Sequence, residues 1–276
     1  MLLDAISRIE KKDKIENIAL KLHIPSNATY VVVDKDFNFK IISKERFSFN
    51  SKYVAMDFYS QIISMNKPVD KKKLITSNNY LTFFCKNFEK LTFEIIDNYY
   101  ESLEISEDCL VYRDWIKDNI FKISSMVTKK ELIKVFFVSD IENYIRANKK
   151  YIENKILSNT IEINENLYGT SSFLNLNIKK PFLKTFTRKV KVPNLIDVEE
   201  ALKYKYLENI FFSFARKGCE ILYILENGDL ISINLKNGEK PSKNFVNGLI
   251  FVYQINSSGN IVIKDMDIIP KYSIYI

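Results

Sequence analysis

Lys71, Lys72 and Lys73 form an uninterrupted cationic triplet, with the amide pair Asn78-Asn79 close behind it. Lysine ammonium groups are strongly hydrated point charges that suit phosphate oxygens without reading base identity. Carboxamides both donate and accept, so Asn66, Asn78 and Asn79 can meet base edges, adenine in the major groove or the acceptors of the minor groove. Asn78-Asn79 equally suits a turn or cap before a strand, and the sequence leaves both readings open. A second cationic stretch carries Lys179, Lys180, Lys184, Arg188 and Lys189, a set that can grip a phosphate backbone. Within it, the alternation of Phe182-Leu183-Lys184-Thr185-Phe186-Thr187 also suits a strand edge with one apolar face.

These stretches hold the chain's charge excess. The 276 residues carry a net charge of +7. From Ser64 to Lys90 six lysines stand against Asp70 and Glu89, giving +4, and from Lys179 to Lys191 five lysines and Arg188 meet no acid, giving +6. The remainder is therefore at about −3, by subtraction from +7. Concentrated positive charge is the footprint expected for phosphate contacts, though solvated lysine-rich loops produce it as well.

Catalytic constellations are scarce. His23 is the one histidine, which excludes any two-histidine metal site within the chain. At the end of a helical pattern and before Ile24-Pro25, His23 reads as a helix-terminal or solvated side chain. Six glycines supply neither a Gly-x-x-x-x-Gly-Lys-Ser/Thr loop nor Gly-x-Gly-x-x-Gly. Carboxylates are scattered over helical faces and turns. Because acids of a carboxylate-metal nuclease converge only in three dimensions, that activity stays as an alternative. The expectation is a chain that is not an enzyme, with no catalytic or metal residues and no cofactor. Cys85, Cys109 and Cys219 are odd in number and lack a C-x-x-C pair, which fits a reducing cytoplasm. Charged residues interrupt the N-terminus, so no signal-peptide core forms, and no apolar run reaches membrane-span length.

Helical spacing predicts one or two amphipathic helices over 2–22, then a β-hairpin from Thr29–Val33 and Phe39–Ile42. A helix is expected over Tyr53–Ile63, closed by Pro68, and a short apolar run over Tyr80–Cys85. Between Phe88 and Leu157 the pattern is helical throughout, with a last helix capped by Asp140. Gly169-Thr170-Ser171-Ser172 signals a turn, and Pro181 and Pro193 bracket the second basic stretch. A capping box of Asp197 and Glu200 starts the clearest helix, which Gly218 stops. Two hairpins follow, Ile221–Leu225 with Leu230–Leu235 around Asn227-Gly228, and Leu249–Ile255 with Ile261–Ile263. The fold expected is α+β, with an N-terminal helix and β-hairpin, a central helical region and C-terminal antiparallel β-hairpins. Residues 1–276 read as a single unit, with a candidate sub-boundary near 158–170.

Met65-Asn66-Lys67-Pro68-Val69-Asp70, Lys71–Lys73 and Ser77-Asn78-Asn79-Tyr80-Leu81-Thr82-Phe83-Phe84 together resemble the N-terminal signature of the large subunit of the type I-B CRISPR Cascade complex. Asn175-Leu176-Asn177-Ile178-Lys179-Lys180-Pro181-Phe182-Leu183, with Thr187-Arg188 and Pro193, is similar to that family's second motif. Lys264-Asp265-Met266-Asp267-Ile268-Ile269-Pro270 is a weaker third match. The resemblance implies a non-catalytic subunit of an RNA-guided surveillance complex in antiviral defence, in which base pairing reads sequence and protein reads a short motif and the backbone. It implies the other Cascade subunits, guide RNA and target double-stranded DNA as partners, with recognition of the protospacer-adjacent motif and no membrane. Asn66, Lys67, Lys71, Lys72, Lys73, Asn78, Asn79, Lys179, Lys180, Lys184, Arg188 and Lys189 are the expected nucleic-acid contacts. Lys67 and the triplet are expected to position, and Asn78 and Asn79 to read. Family members usually continue beyond this length into a helical part, through which the helicase-nuclease would be recruited. An N-terminal fragment or a short version is therefore expected. The alternative is an assembly or decoy protein that docks on Cascade without reading DNA.

Overall fold

The computed structural model describes residues 1–127, 131–171, 173–175, 195–239, 244–245, 247–257, 259–270 and 272–273. In order these form α1 (Leu2–Ile9), α2 (Ile15–Leu22), β1 (Thr29–Val33), β2 (Phe39–Ile42), α3 (Lys44–Phe49), α4 (Ser51–Phe58), β3 (Thr82–Cys85), α5 (Phe93–Ser102), α6 (Leu110–Ser125), β4 (Ile133–Phe137) and α7 (Ile141–Lys155). Then come β5 (Ser158–Ile163), β6 (Asn166–Thr170), α8 (Val198–Arg216), β7 (Ile221–Leu225), β8 (Leu230–Ile233), β9 (Asn244–Phe245), β10 (Gly248–Ile255), β11 (Ile261–Ile269) and β12 (Tyr272–Ser273). The fold is α+β. Instead of the single unit expected, the chain divides into two compact units: Ile24–Lys155, and Met1–His23 with Ile156–Ile276. The later boundary falls just before the expected 158–170 region. No helix among the described residues is long and apolar enough to cross a membrane.

The Ile24–Lys155 unit is built on a mixed sheet of order β2-β1-β4-β3. β1 and β2 form the expected antiparallel hairpin, while β1 pairs in parallel with β4, Val31 opposite Val135. β4 then pairs antiparallel with β3, Phe83 opposite Val135. The helices expected between Phe88 and Leu157 are present as α5, α6 and α7, but β4 stands between the last two, where no strand was expected. All five of its residues are buried, and Lys134 in the middle had masked the strand signal. The Lys134 ammonium lies 2.6 Å from Asp57 Oδ1, and both side chains are buried. It also stands 4.8 Å from the centre of the Phe84 ring. Asp57 is on α4, which is shorter than expected and follows a separate α3. The pair locks that helix corner to the central strand.

The other unit packs α8 against α1 and α2 and builds an antiparallel sheet of order β11-β10-β7-β8. Both expected C-terminal hairpins are present, with β11 longer than anticipated. Asp197 caps α8 as read, its Oδ1 accepting from Glu200 N at 2.8 Å, while the Glu200 carboxylate accepts from the Tyr204 hydroxyl. Gly228 sits at φ +85°, and a Cβ there would come 2.4 Å from Arg8 O, so only glycine fits that turn. The β5–β6 hairpin went unpredicted; its turn holds Asn164 and Glu165 at φ 49° and 63°. On α8, burial pushes the Glu208 carboxyl up to about 7, opposed by a hydrogen bond that its Oε1 accepts from Leu174 N at 3.3 Å.

Removing one partner of the Asp57–Lys134 pair strands a buried charge, so Lys134→Met should destabilise by roughly 3–5 kcal/mol in urea denaturation. The double replacement with Asp57→Leu should recover most of that loss. For Glu208, a folded pKa above the unfolded value means stability is full below about pH 4.5 and falls as pH rises through about 7. Glu208→Gln keeps an acceptor for Leu174 N. It should raise the thermal midpoint at pH 8 and leave it nearly unchanged at pH 4.5.

Candidate nucleic-acid interface

The loop between α4 and β3 is organised by one buried carboxylate. Asp70 is 3% exposed. Its Oδ1 accepts from Lys72 N at 2.9 Å, and its Oδ2 accepts from Leu74 N at 2.7 Å and Ile75 N at 3.1 Å. The Asp70 carbonyl also accepts from Lys73 N at 2.9 Å, which closes a turn that holds Lys73 at φ 60°. Backbone groups thus face the carboxylate, and the side chains of Lys71, Lys72 and Lys73 face water. The expected phosphate-seeking triplet is displayed on a closed scaffold.

Lys67 departs from the expectation. It is half-buried, and its ammonium donates to the backbone carbonyl of Lys155 at the C-terminal end of α7, where a cation complements the helix dipole. Burial first, and the Lys155 charge second, hold that ammonium below its ordinary range. The Lys67 carbonyl accepts from the Tyr151 hydroxyl at 2.6 Å, and burial pushes that phenol up to about 12. Lys67 is a tether between loop and helix. Asn66, by contrast, is exposed.

Asn78 and Asn79 are corrected from readers to structural residues. They are 0% and 1% exposed. Asn78 Nδ2 donates to Gln61 O at 2.9 Å and to Asn148 Oδ1 at 2.8 Å, while its own Oδ1 accepts from Asn79 Nδ2 at 3.0 Å. Asn79 Nδ2 also donates to Ser60 Oγ at 3.0 Å, and Asn79 Oδ1 accepts from Leu81 N at 3.0 Å and Thr82 Oγ1 at 3.1 Å. Beneath them the Tyr99 hydroxyl donates to Asn79 O at 2.8 Å. These bonds commit both amides to the buried web.

Beside the loop opens a cleft of about 430 Å³, whose lining includes Lys71, Tyr80, Lys150, Tyr151, Asn154 and Lys155. Lys150 and Lys155 are exposed on α7. Sequence reasoning missed them because lysines on a helix normally read as a solvated face. Lys150 is braced by Glu104, Nζ to Oε2 at 3.3 Å, and donates to Glu104 O at 3.0 Å. The cleft therefore joins cations from two distant segments with tyrosine walls, a combination suited to an anionic ligand with planar groups. Lys179, Lys180, Lys184, Arg188 and Lys189 lie outside the described residues. Among the described residues no group of three or more His, Cys, Asp or Glu is placed to hold a metal.

Asn79→Ala removes two donors and an acceptor from a buried web. It should lower the unfolding free energy by roughly 2–4 kcal/mol in urea titration, and a variant as stable as the parent would restore the reader role. Comparison with family models, with curated proteins and with solved structures found no match to this chain.

Proposed function

We propose that the chain is the N-terminal portion of a type I-B Cascade large subunit. In this reading it is a non-catalytic, cytoplasmic subunit that contributes to protospacer-adjacent-motif recognition and target DNA binding in antiviral defence. The observation that carries the reading is the Asp70-pinned loop, because the segment that resembles the family's signature is also the one that projects three lysines from a fixed backbone. Lys71, Lys72 and Lys73, joined by Lys150 and Lys155, hold phosphates of the duplex. Asn66 is the exposed amide of the same segment and the candidate for a base edge. The second basic stretch, from Lys179 to Lys189, adds phosphate contacts. The other Cascade subunits and guide RNA complete the assembly.

In a complex reconstituted with the other subunits, replacing Lys71, Lys72 and Lys73 together by Gln should weaken target duplex binding for all sequences. The slope of log K against log salt should fall by about 2.7, or 0.9 per lost phosphate contact. Asn66→Ala should leave the slope and shift the preferred motif. Unchanged affinity and slope in the triple variant would refute the assignment.

A further inference from the structure

Phe49 is 90% exposed, more than any other large hydrophobic among the described residues. Helix geometry gives the reason. Phe47 and Phe49 stand two residues apart on α3, about 200° around the axis, so only one of them can enter the core. Phe47 does: it is fully buried, stacked on Tyr30 at 4.0 Å and on Tyr53 at 5.5 Å between ring centroids. Phe49 is thereby turned outward at the α3–α4 corner, and that corner is fixed. Ser43 Oγ accepts from Arg46 N at 3.4 Å, and Asn50 Oδ1 accepts from Lys52 N at 3.0 Å and Tyr53 N at 3.3 Å.

The flanking segment is cationic. Lys40, Arg46 and Lys52 are exposed and Lys44 is half-buried. Against them stands Glu45 alone, so residues 40–52 carry four cations less one carboxylate, +3. An aromatic face held out from a fixed backbone corner, in a segment of net positive charge, matches a polyanion whose own aromatic faces are uncovered. Duplex DNA hides its base faces in the stack; a single strand presents them.

We infer that the α3–α4 corner is a binding site for single-stranded nucleic acid, with one base stacked on Phe49 and flanking phosphates held by Arg46 and Lys52. The site is separate in sequence from the Lys71–Lys73 loop and takes a different form of nucleic acid, so it extends the proposed function and does not depend on it.

The test is fluorescence anisotropy of the full chain with a labelled oligothymidylate of about 15 nucleotides, within the span such sites cover. Phe49→Ala should weaken binding roughly 5- to 150-fold, the worth of one stacked base. Phe49→Trp should retain it, and Phe49→Leu, which keeps apolar bulk without a π-face, should fall with Ala. Arg46→Gln with Lys52→Gln should reduce the salt slope by about 1.4, at 0.7 per phosphate on a single strand. Because these side chains are exposed, circular dichroism should be unchanged. The Gln triple at Lys71–Lys73 should keep the Phe49 dependence, so loss of duplex binding there leaves this site standing. Three outcomes would overturn the inference: no binding by the parent, Phe49→Ala within twofold of the parent, or Phe49→Leu equal to the parent. The last would mark an apolar protein contact instead.

Discussion

Asp70 holds three backbone N–H groups on one buried carboxylate, in the middle of a segment whose neighbours are mostly lysine. Three adjacent ammonium groups repel one another and, left to themselves, would spread the loop over many conformations. The carboxylate opposes this through short, charge-assisted bonds made inside the fold, where water does not compete. The rest of the region follows from that closure. Lys73 accepts a left-handed backbone, Lys67 is drawn back to the end of α7, and the cleft beside the loop acquires its cationic rim.

Below the loop, polar groups occupy space that an apolar core would normally fill. Ser60, Ser77, Asn78, Asn79, Thr82 and Tyr99 are all buried and hydrogen-bonded to one another or to backbone. A fully satisfied network of this kind specifies one geometry, because any shift leaves a buried donor or acceptor unmatched. The Asp57–Lys134 pair acts in the same sense one layer away, since an isolated charge there would be far more costly than the pair. The combined effect is a fixed scaffold under an exposed cationic surface, which on the proposed function would lower the ordering cost of binding.

Elements with strong local signals were legible in the sequence: the 29–42 hairpin, α8 with its Asp197 cap, and the Asn227-Gly228 turn. β4 was not, because its run Ile133-Lys134-Val135-Phe136-Phe137 is short and contains a lysine whose partner, Asp57, is 77 residues away. The candidate site was half legible. The triplet Lys71–Lys73 reads as exposed charge whatever the fold, and is exposed. Asn78 and Asn79 did not resolve, because an amide that reads a base and an amide that closes a buried web are the same chemistry until burial is known. Phe49 was silent for a similar reason: an aromatic two residues from another reads as core, and only the helical turn between them sends one outward. Lys150 and Lys155 joined the site only through the approach of α7 to the loop.

On the proposed function, the cationic loop acts through its fixed shape and not through charge alone. Asp70→Asn separates the two, because the change removes a negative charge and also turns an amide donor toward backbone N–H groups. The measurement is duplex DNA affinity of the Asp70→Asn protein beside the parent at matched salt, with circular dichroism confirming the fold. Weaker binding, despite the more positive loop, is the result expected. Tighter or unchanged binding would rule this out and leave net charge as the determinant.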